Sequence, residues 1–472
     1  MNIDKSESVL LRQAGIYQNF DFAGGDAVID QIYNFAMKLR WDDVPDVARQ
    51  RTKNLFMDLS GVLAVGTETP VSHIIRDMAV EQFGPSATSS ARLPLDGRAV
   101  SPSGAAMATG MTIDSIDAHD GHNVARGHVG CGLLATLLAV SDDLGITDGK
   151  ELLTTLLIGY EIGTAAAYAI KCAPETAMHF SSSGSWVSLG CAAMAARLMQ
   201  LDRDQFHHAM AIAEYHGPRS WVMKVANHPT MLKDGSGWGA MTGVSAAYMA
   251  RAGFTGAPVI LIESTHLQQY WGKLGSEWEV LQQYVKPQPV CRWTQQSTQA
   301  VASLLQDHEI DSRNIVSVIV DTFEEATLLS QEPPTTTEQA QYNVRFPLAV
   351  LLARGKLGAR EVTDQTIFED PEVLRLFHLI ELRRKPEFDA VFPLERWAIV
   401  RIEFETGDSI ESSPAKARGE SDTMLSDVEF QEKFRDLTSI RFSPEQATSV
   451  LTAIEAMDTD EMAWSHYRKY FE

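Results

Sequence analysis

The sequence predicts a mainly α-helical protein in two units: a large all-helical domain built from both ends of the chain, residues 1–283 and 424–472, and a smaller α+β domain inserted at 284–423. Three observations carry that expectation. Apolar residues recur at helical spacing from Asp26 to about Leu281, with small residues dense along the repeats. At Lys286 the pattern breaks on prolines and gives way to alternating runs. Helical spacing returns at Ser426, in segments with too little apolar surface to form a core alone, so they are expected to pack back on the first domain. Two connections between the units permit hinge or lid motion, a common way to close a site over a small ligand.

In chain order, Ile29, Ile32, Tyr33 and Ala36 share one helical face and Leu55, Leu59, Val62 and Leu63 another, which predicts two helices separated at Pro45. A small apolar run at 104–116 and a buried helix at 131–140 flank a polar stretch. Helices are predicted at 152–170, 190–199, 205–214 and 235–250, all rich in Ala, Leu, Met and Gly, the composition of helices that pack closely through small residues. No segment in this region alternates well enough for a strand. In the insertion, KPQPVCRW at 286–293 reads as a proline-broken extended lead-in, and 315–323 as a strand with Val316, Val318 and Val320 on one face. A second strand is predicted at 396–405, where Val400, Ile402 and Phe404 alternate with Arg401, Glu403 and Glu405. The turn Thr406-Gly407-Asp408 makes it one arm of a hairpin with 409–412. Segments 349–354 and 371–384 read as helical, as do 426–434 and 443–456.

At 472 residues and 44% hydrophobic composition, the chain is long enough for two or three well-packed domains. The start MNIDKSESVLLRQ lacks a basic segment followed by a long apolar run, so no secretory signal is expected and the chain reads as cytoplasmic. The most membrane-like stretch, 152–170, carries Glu161 and several threonines, which fits a buried helix better than a span. A net charge of -22 and a pI near 5.0 repel nucleic acid and anionic lipid, so neither is an expected partner. A small anionic substrate stays compatible if basic side chains gather in one pocket. Cys131, Cys172, Cys191 and Cys291 stand far apart in apolar or small-residue surroundings, as reduced core thiols do.

The densest chemistry lies at 117–130, DAHDGHNVARGHVG, which packs two aspartates, three histidines and an arginine between apolar runs. Polar groups flanked by core elements must find partners or do a job, because burying them unpaired is costly. Three readings compete. The stretch is a solvated loop with incidental histidines, or a metal site drawing on Asp117, His119, Asp120, His122 and His128, or an acid–base site in which a carboxylate orients a histidine that titrates near neutral pH. The chain lacks the HExxH and CxxC spacings that would support zinc, and the third reading is favoured.

Further along, Gly235-Ser-Gly-Trp-Gly239 has neither GxGxxG spacing nor a preceding strand and is not read as a nucleotide loop. Gly235, Gly239 and Gly243 fall four apart, a smooth ridge for close backbone approach. Lys233 sits just ahead, where an ammonium and a helix N-terminus would face one anion; the competing reading is a solvated surface lysine. His179 lies in the hydroxyl-rich turn MHFSSSGSWVSLG and, taken alone, is more often structural than catalytic. Glu161 must be paired or protonated if buried, and its neighbour Tyr160 is a candidate donor to a ligand. Lys286 and Arg292 add positive charge at the domain junction, where a cleft would lie or where they form ordinary ion pairs.

Together, DxxD and GHxG within 117–130, the histidine-plus-hydroxyl turn at 179–185, MLKDGSGWGA at 231–240, KPQPVCRW at 286–293 and EPPTTTEQAQYNVRFPLAV at 332–350 resemble the MmgE/PrpD family. That family includes 2-methylcitrate dehydratase, cis-aconitate decarboxylase and iminodisuccinate epimerase, and the resemblance spans nearly the whole chain. It implies a large all-α domain from both chain ends, a smaller α+β lid, a homodimer, and no metal or organic cofactor. It also implies that Asp117, His128, His179 and Lys233 line the pocket as catalytic groups. Two positions depart from the family pattern: Gln295 stands near the place of a histidine that follows the cysteine of the KPxP segment, and Phe346 where many relatives carry tyrosine.

The family's reactions share one problem, building negative charge on a carbon next to a carboxylate, which requires cations and hydrogen-bond donors where that charge appears. The expected function is therefore a cofactor-independent lyase or isomerase acting on a small di- or tricarboxylate. His128 is expected to move the proton, Lys233 with the adjacent helix N-terminus to neutralise a carboxylate, and Asp117 to orient His128 or its neighbours. Tyr160, Asp120, Lys286 and Arg292 are expected on the substrate, Arg292 by two parallel hydrogen bonds to a distal carboxylate. The lid departures tilt the expectation slightly toward dehydration or epimerisation over decarboxylation. The alternatives are a non-catalytic polycarboxylate-binding protein of the same fold and a metal-dependent hydrolase using the Asp/His segment.

Overall fold

A computed structural model describes residues 21–172, 182–221 and 228–472. The fold is mainly α with a smaller α+β part. The long helices of the first unit are α1 (Gly25–Lys38), α2 (Asp46–Gly66), α3 (Pro70–Gln82), α4 (Pro102–Asp114), α5 (Gly130–Leu144), α6 (Gly149–Cys172), α7 (Ser183–Leu198), α8 (Arg203–His216) and α9 (Ser236–Arg251). Their starts follow local chemistry. Ser101 caps α4 by accepting from the Gly104 N–H, with Pro102 in the first turn, and Asp202 and Gln205 form a reciprocal capping box on α8.

Small residues decide how these helices pack. A methyl group on Gly110 of α4 would stand 2.7 Å from the Gly237 Cα of α9, and one on Gly239 would stand 2.8 Å from the Gly184 Cα of α7. The three backbones thus touch where any side chain would force them apart. The ridge on α9 is carried by Gly237, Gly239 and Gly243. Gly235 serves differently from the expected ridge member: it is the N-cap, in the left-handed conformation with φ 73°.

Helix α6 is long and apolar enough to cross a membrane, but 94% of its apolar window is buried in protein, as in a core helix. Glu161 within it accepts from the backbone N–H groups of Glu279 and Val280, both at 2.9 Å. Burial pushes its carboxyl up to about 8.

Four two-residue strands sit among the helices, contrary to the expectation of none: β1 (Ala91–Arg92) pairs with β2 (Ala99–Val100), and β3 (Gly121–His122) with β4 (Gln283–Tyr284). Two residues are too few for alternation to show. The insertion holds α10 (Gln295–Asp307), α11 (Arg345–Arg354) and α12 (Pro371–Leu379) against a sheet of β5 (Ile315–Thr322), β6 (Ile380–Arg384), β7 (Trp397–Phe404), β8 (Ser409–Glu411) and β9 (Ala415–Lys416). Its order is β6-β5-β7-β8, with β9 also on β7. The helix expected over 371–384 ends at Leu379, because the next five residues pair in parallel with Val318–Thr322 of β5. That partner is distant in sequence, so the local pattern does not reveal it.

Buried apolar residues form two clusters. One gathers residues between Ile29 and Val285 with residues between Leu425 and Phe471; the other gathers residues between Val290 and Ile402. After the insertion, α13 (Asp427–Thr438), α14 (Pro444–Glu455) and α15 (Ala463–Phe471) return to the first cluster. Lys433 of α13 lies 2.5 Å from Asp58 of α2 and donates to the Ala118 carbonyl at 2.7 Å, so the returning chain end braces the polar stretch from behind. Where the chain crosses between the units, the Val285 N–H donates to the Gly419 carbonyl at 2.8 Å. Gly419 has φ 86°, and a Cβ there would fall 2.0 Å from the Val285 oxygen, so this side-by-side crossing requires glycine.

Candidate active site

Where the two clusters meet, the polar stretch folds back on itself between the end of α4 at Asp114 and the start of α5 at Gly130. The His122 N–H donates to the Gly127 carbonyl at 2.9 Å and closes the loop. This folding delivers His119 and His128 to one place, with ring centroids 4.5 Å apart and edge-on. His122 is turned the other way, with Nε2 3.3 Å from both the Glu279 carboxylate and the Tyr168 hydroxyl.

His128 is buried, and its Nδ1 lies 2.5 Å from the Asp120 carbonyl oxygen. A carbonyl only accepts, so Nδ1 carries the proton and Nε2 is left with a lone pair. That Nε2 stands 3.4 Å from Asp234 Oδ2. Burial, followed by the nearby Lys286 ammonium, lowers the imidazole to about 3, while burial raises the Asp234 carboxyl. Burial thus favours the uncharged form of each group. His119 has Nδ1 3.3 Å from the same Asp120 oxygen, and its Nε2 faces Asp114 at 3.5 Å and Asp117 at 3.7 Å.

Asp117 and Lys286 form a fully buried ion pair. Burial opposes the charge on both. Lys286 and neighbouring cations nevertheless hold Asp117 below the usual carboxylate range, and Asp117 in turn holds Lys286 above the usual lysine value. Gln341, from the insertion, joins this pair to Lys233: its Oε1 accepts from the Asp117 N–H at 2.7 Å and from Lys233 Nζ at 2.9 Å. The Lys233 ammonium lies 4.9 Å from the Tyr342 ring centroid. Lys233 also has φ 48°, an uncommon backbone state for a side chain that is not glycine, of the kind that clusters at functional sites.

Several sequence expectations are corrected by this geometry. The N-terminus of α9 does not wait for a substrate anion: Asp114 accepts from the Asp234 N–H at 3.2 Å and from the Ser236 N–H. Tyr160 and Asp120 do not face a ligand either. The Tyr160 hydroxyl donates to Asp120 Oδ2, the other Asp120 oxygen accepts from the Gly130 N–H at 3.2 Å, and both residues are 0% exposed. They orient the carbonyl that holds both histidines. Lys286 is committed to Asp117 rather than standing free at a cleft rim.

Arg292 is not a solitary clamp: it pairs with Glu420, and its guanidinium lies 4.8 Å from the Tyr284 ring, which packs edge-on against His128 at 6.3 Å. His179 lies outside the described residues. Gln295 donates to the backbone oxygens of Gln288 and Val290, each at 2.8 Å, and so pins the proline-broken segment. Phe346 packs on Phe368 at 5.3 Å inside the second core.

Reasoning from the sequence missed Asp114, Asp234, Gln341 and Tyr342 as members of the site, and named His119 only as a possible metal ligand. All five were in or beside the quoted motif blocks. Asp234 directly follows Lys233, and Asp114 lies one helical turn before Asp117.

Two donor sets have ligand atoms within 4.8 Å of one another: Asp114, His119 and Cys131, and Asp117, His119 and His128. In the second set Asp117 is already neutralised by Lys286, and in the first burial pushes the Cys131 thiol well up, away from the thiolate that binds metal. With two buried ammonium groups alongside, this chemistry suits an anion better than a cation.

Fold and site thus define a class: a two-unit helical protein whose junction holds a neutral histidine amid buried lysines and carboxylates. The chain belongs to the MmgE/PrpD family. The family model for the MmgE/PrpD N-terminal domain matches residues 30–273, and that for the MmgE/PrpD C-terminal domain matches residues 289–459. Relatives include the cis-aconitate decarboxylase-like protein OryM of Aspergillus oryzae, 23% identical over 92% of this chain and 95% of its own length. They also include the cis-aconitate decarboxylases of Aspergillus terreus, 22% identical over 86% of this chain and 88% of the relative, and of Homo sapiens, 22% identical over 89% of each.

Proposed function

We propose that this protein is a cofactor-independent lyase that builds negative charge on a carbon next to a carboxylate of a small di- or tricarboxylate. The observation that carries the reading is His128, whose proton is fixed on Nδ1 by the Asp120 carbonyl, leaving an unprotonated Nε2 in a buried cluster with Lys233 and Lys286. Membership of the family, and relatives named for decarboxylation of cis-aconitate, support lyase chemistry on a carboxylate.

In the proposed reaction a substrate carboxylate approaches Lys233, whose ammonium spends one hydrogen bond on Gln341 and has further protons to donate. His128 Nε2 removes a proton from the adjacent carbon. The electron pair left behind delocalises into the carboxylate, where the ammonium groups stabilise it in a low-dielectric setting. In dehydration that pair then forms the double bond as hydroxide departs with a proton from a nearby acid. Asp234, whose carboxyl burial raises, and the Tyr342 phenol, which burial holds protonated, are suited to supply it. The departures at Gln295 and Phe346 tilt the choice toward dehydration, which leads. Decarboxylation is the second reading, favoured by the named relatives: carbon dioxide leaves, its bonding pair stays on the carbon, and the same acids protonate it.

Incubation of chelator-treated protein with 2-methylcitrate, citrate and cis-aconitate, followed by NMR of the products and trapping of carbon dioxide, separates these readings. An unsaturated tricarboxylate without carbon dioxide marks a dehydratase, carbon dioxide a decarboxylase, and altered configuration alone an isomerase. Tight binding with neither product nor proton exchange would overturn the enzyme reading, and activity that requires added metal would overturn the cofactor-independent one.

A further inference from the structure

On a chain of net charge -22, cations have gathered on one wall of this site. Arg292 and Arg396 come from separate segments of the insertion and are only 7% and 6% exposed. Burial, followed by the closeness of Arg396, lowers Arg292 to about 9, which still leaves it charged near neutrality. Glu325 acts on Arg396 at longer range. Glu420 pairs with Arg292 and accepts from Asn123 Nδ2 at 2.5 Å, while Asn123 Oδ1 accepts from Arg396 Nη1 at 2.9 Å. Arg292 Nε and Nη1 and Arg396 Nε have no hydrogen-bond partner among the described residues. Buried guanidinium protons without acceptors are costly, and a planar carboxylate is the shape that satisfies such forks.

The positive field continues outward. Exposed Arg126 acts on Arg396 and on half-buried Lys171, and Lys171 in turn feels Asp234, the neighbour of His128 Nε2. On the inner side, Tyr284 lies between Arg292 and His128, so one aromatic ring separates the arginine pair from the base.

We propose that Arg292 and Arg396 form a second carboxylate subsite that takes the distal carboxylate of the substrate, with Glu420 as its internal counter-charge. The subsite makes the protein select di- and tricarboxylates over monocarboxylates. This inference rests on the proposed function of the neighbouring His128 cluster, and it adds Arg396 and Glu420 as specificity-determining residues.

Calorimetric titration of the whole protein with tricarballylate, glutarate and butyrate tests it. Wild type should bind tricarballylate at least about tenfold more tightly than butyrate. R396Q should erase that preference, R396K should restore part of it, and E420Q should tighten tricarballylate severalfold because one competing negative charge is gone. Circular dichroism and thermal melts confirm that each variant is folded; if R396Q is not, R396K carries the test through its loss of the planar fork. Folded arginine variants that bind tricarballylate as wild type does would overturn the subsite and leave the proposed function standing. Weaker binding in E420Q would overturn the counter-charge role. A wild-type protein that binds none of the three probes would overturn both the subsite and the reading beneath it.

Discussion

The two walls of the site are built by opposite means. The helical wall is local: Asp114, Asp117, His119, Asp120 and His128 arrive on one short stretch between α4 and α5, with Tyr160 and Gly130 fixing its shape. The wall from the insertion is assembled at long range, with Lys286 and Arg292, Gln341 and Tyr342, and Arg396 carried in by three separate segments. One wall is therefore preorganised by its own loop, while the other depends on how the insertion seats against it. In the proposed reaction the helical wall holds the base, and the far wall reads the substrate and completes the charge balance.

Breaking the local wall should have the largest effects. Replacing His128 with Ala is expected to lower kcat by about three orders of magnitude or more, measured on whichever carboxylate is turned over. Asp117→Asn leaves the Lys286 ammonium buried without its partner and should cost about 3–5 kcal/mol in urea denaturation. The double variant D117N/K286M should recover much of that loss, because it removes the orphaned charge as well. Tyr160→Phe removes the donor to Asp120 and should cost about 1–3 kcal/mol of stability. Its KM should change little; a large rise in KM would restore Tyr160 to the substrate.

The long-range wall gives smaller effects with a different signature. Gln341→Leu removes the acceptor shared by Lys233 and the Asp117 N–H and should raise KM roughly tenfold while kcat falls less. Equal losses in both parameters would show that the insertion shapes the base as much as the binding.

A last contrast lies outside the cleft, in α6. The Glu161 carboxyl sits at about 8 against an ordinary 4.5, so between those values the folded state holds a proton that the unfolded state has released. Wild-type stability should therefore fall as pH rises through that window, by at most about 1.4 kcal/mol per pH unit, and level off above it. Glu161→Gln cannot titrate, and its melting temperature should follow pH less steeply over the same range.

The same contrast governs what the sequence reveals. The mainly helical character and the change at Lys286 are written in local periodicity, and the crowding of ionisable groups at 117–130 is visible without a structure. The separation of His128 from His122 is not, because it depends on the His122–Gly127 turn and on which partner each ring finds. Lys233 was legible as a cation near a helix start, yet the helix end itself is taken by Asp114, a contact between residues 120 positions apart. Tyr160 and Asp120 are legible as polar groups beside apolar runs, but the sequence places them on the substrate. That they satisfy each other needs the packing of α6 against the loop. Gln341 and the Arg396–Asn123–Glu420 chain leave no local trace, since each link joins segments whose pairing only the fold decides.

The central claim is that His128 moves a proton at a carbon next to a carboxylate without help from a metal or organic cofactor. The most direct test is to incubate chelator-treated wild type and His128→Ala with cis-aconitate, citrate and tricarballylate in deuterium oxide and to follow deuterium at the carbons next to each carboxylate by NMR. The account predicts incorporation into at least one of these by wild type and almost none by the variant. Equal incorporation by both proteins, or exchange that appears only after metal is restored, would contradict it.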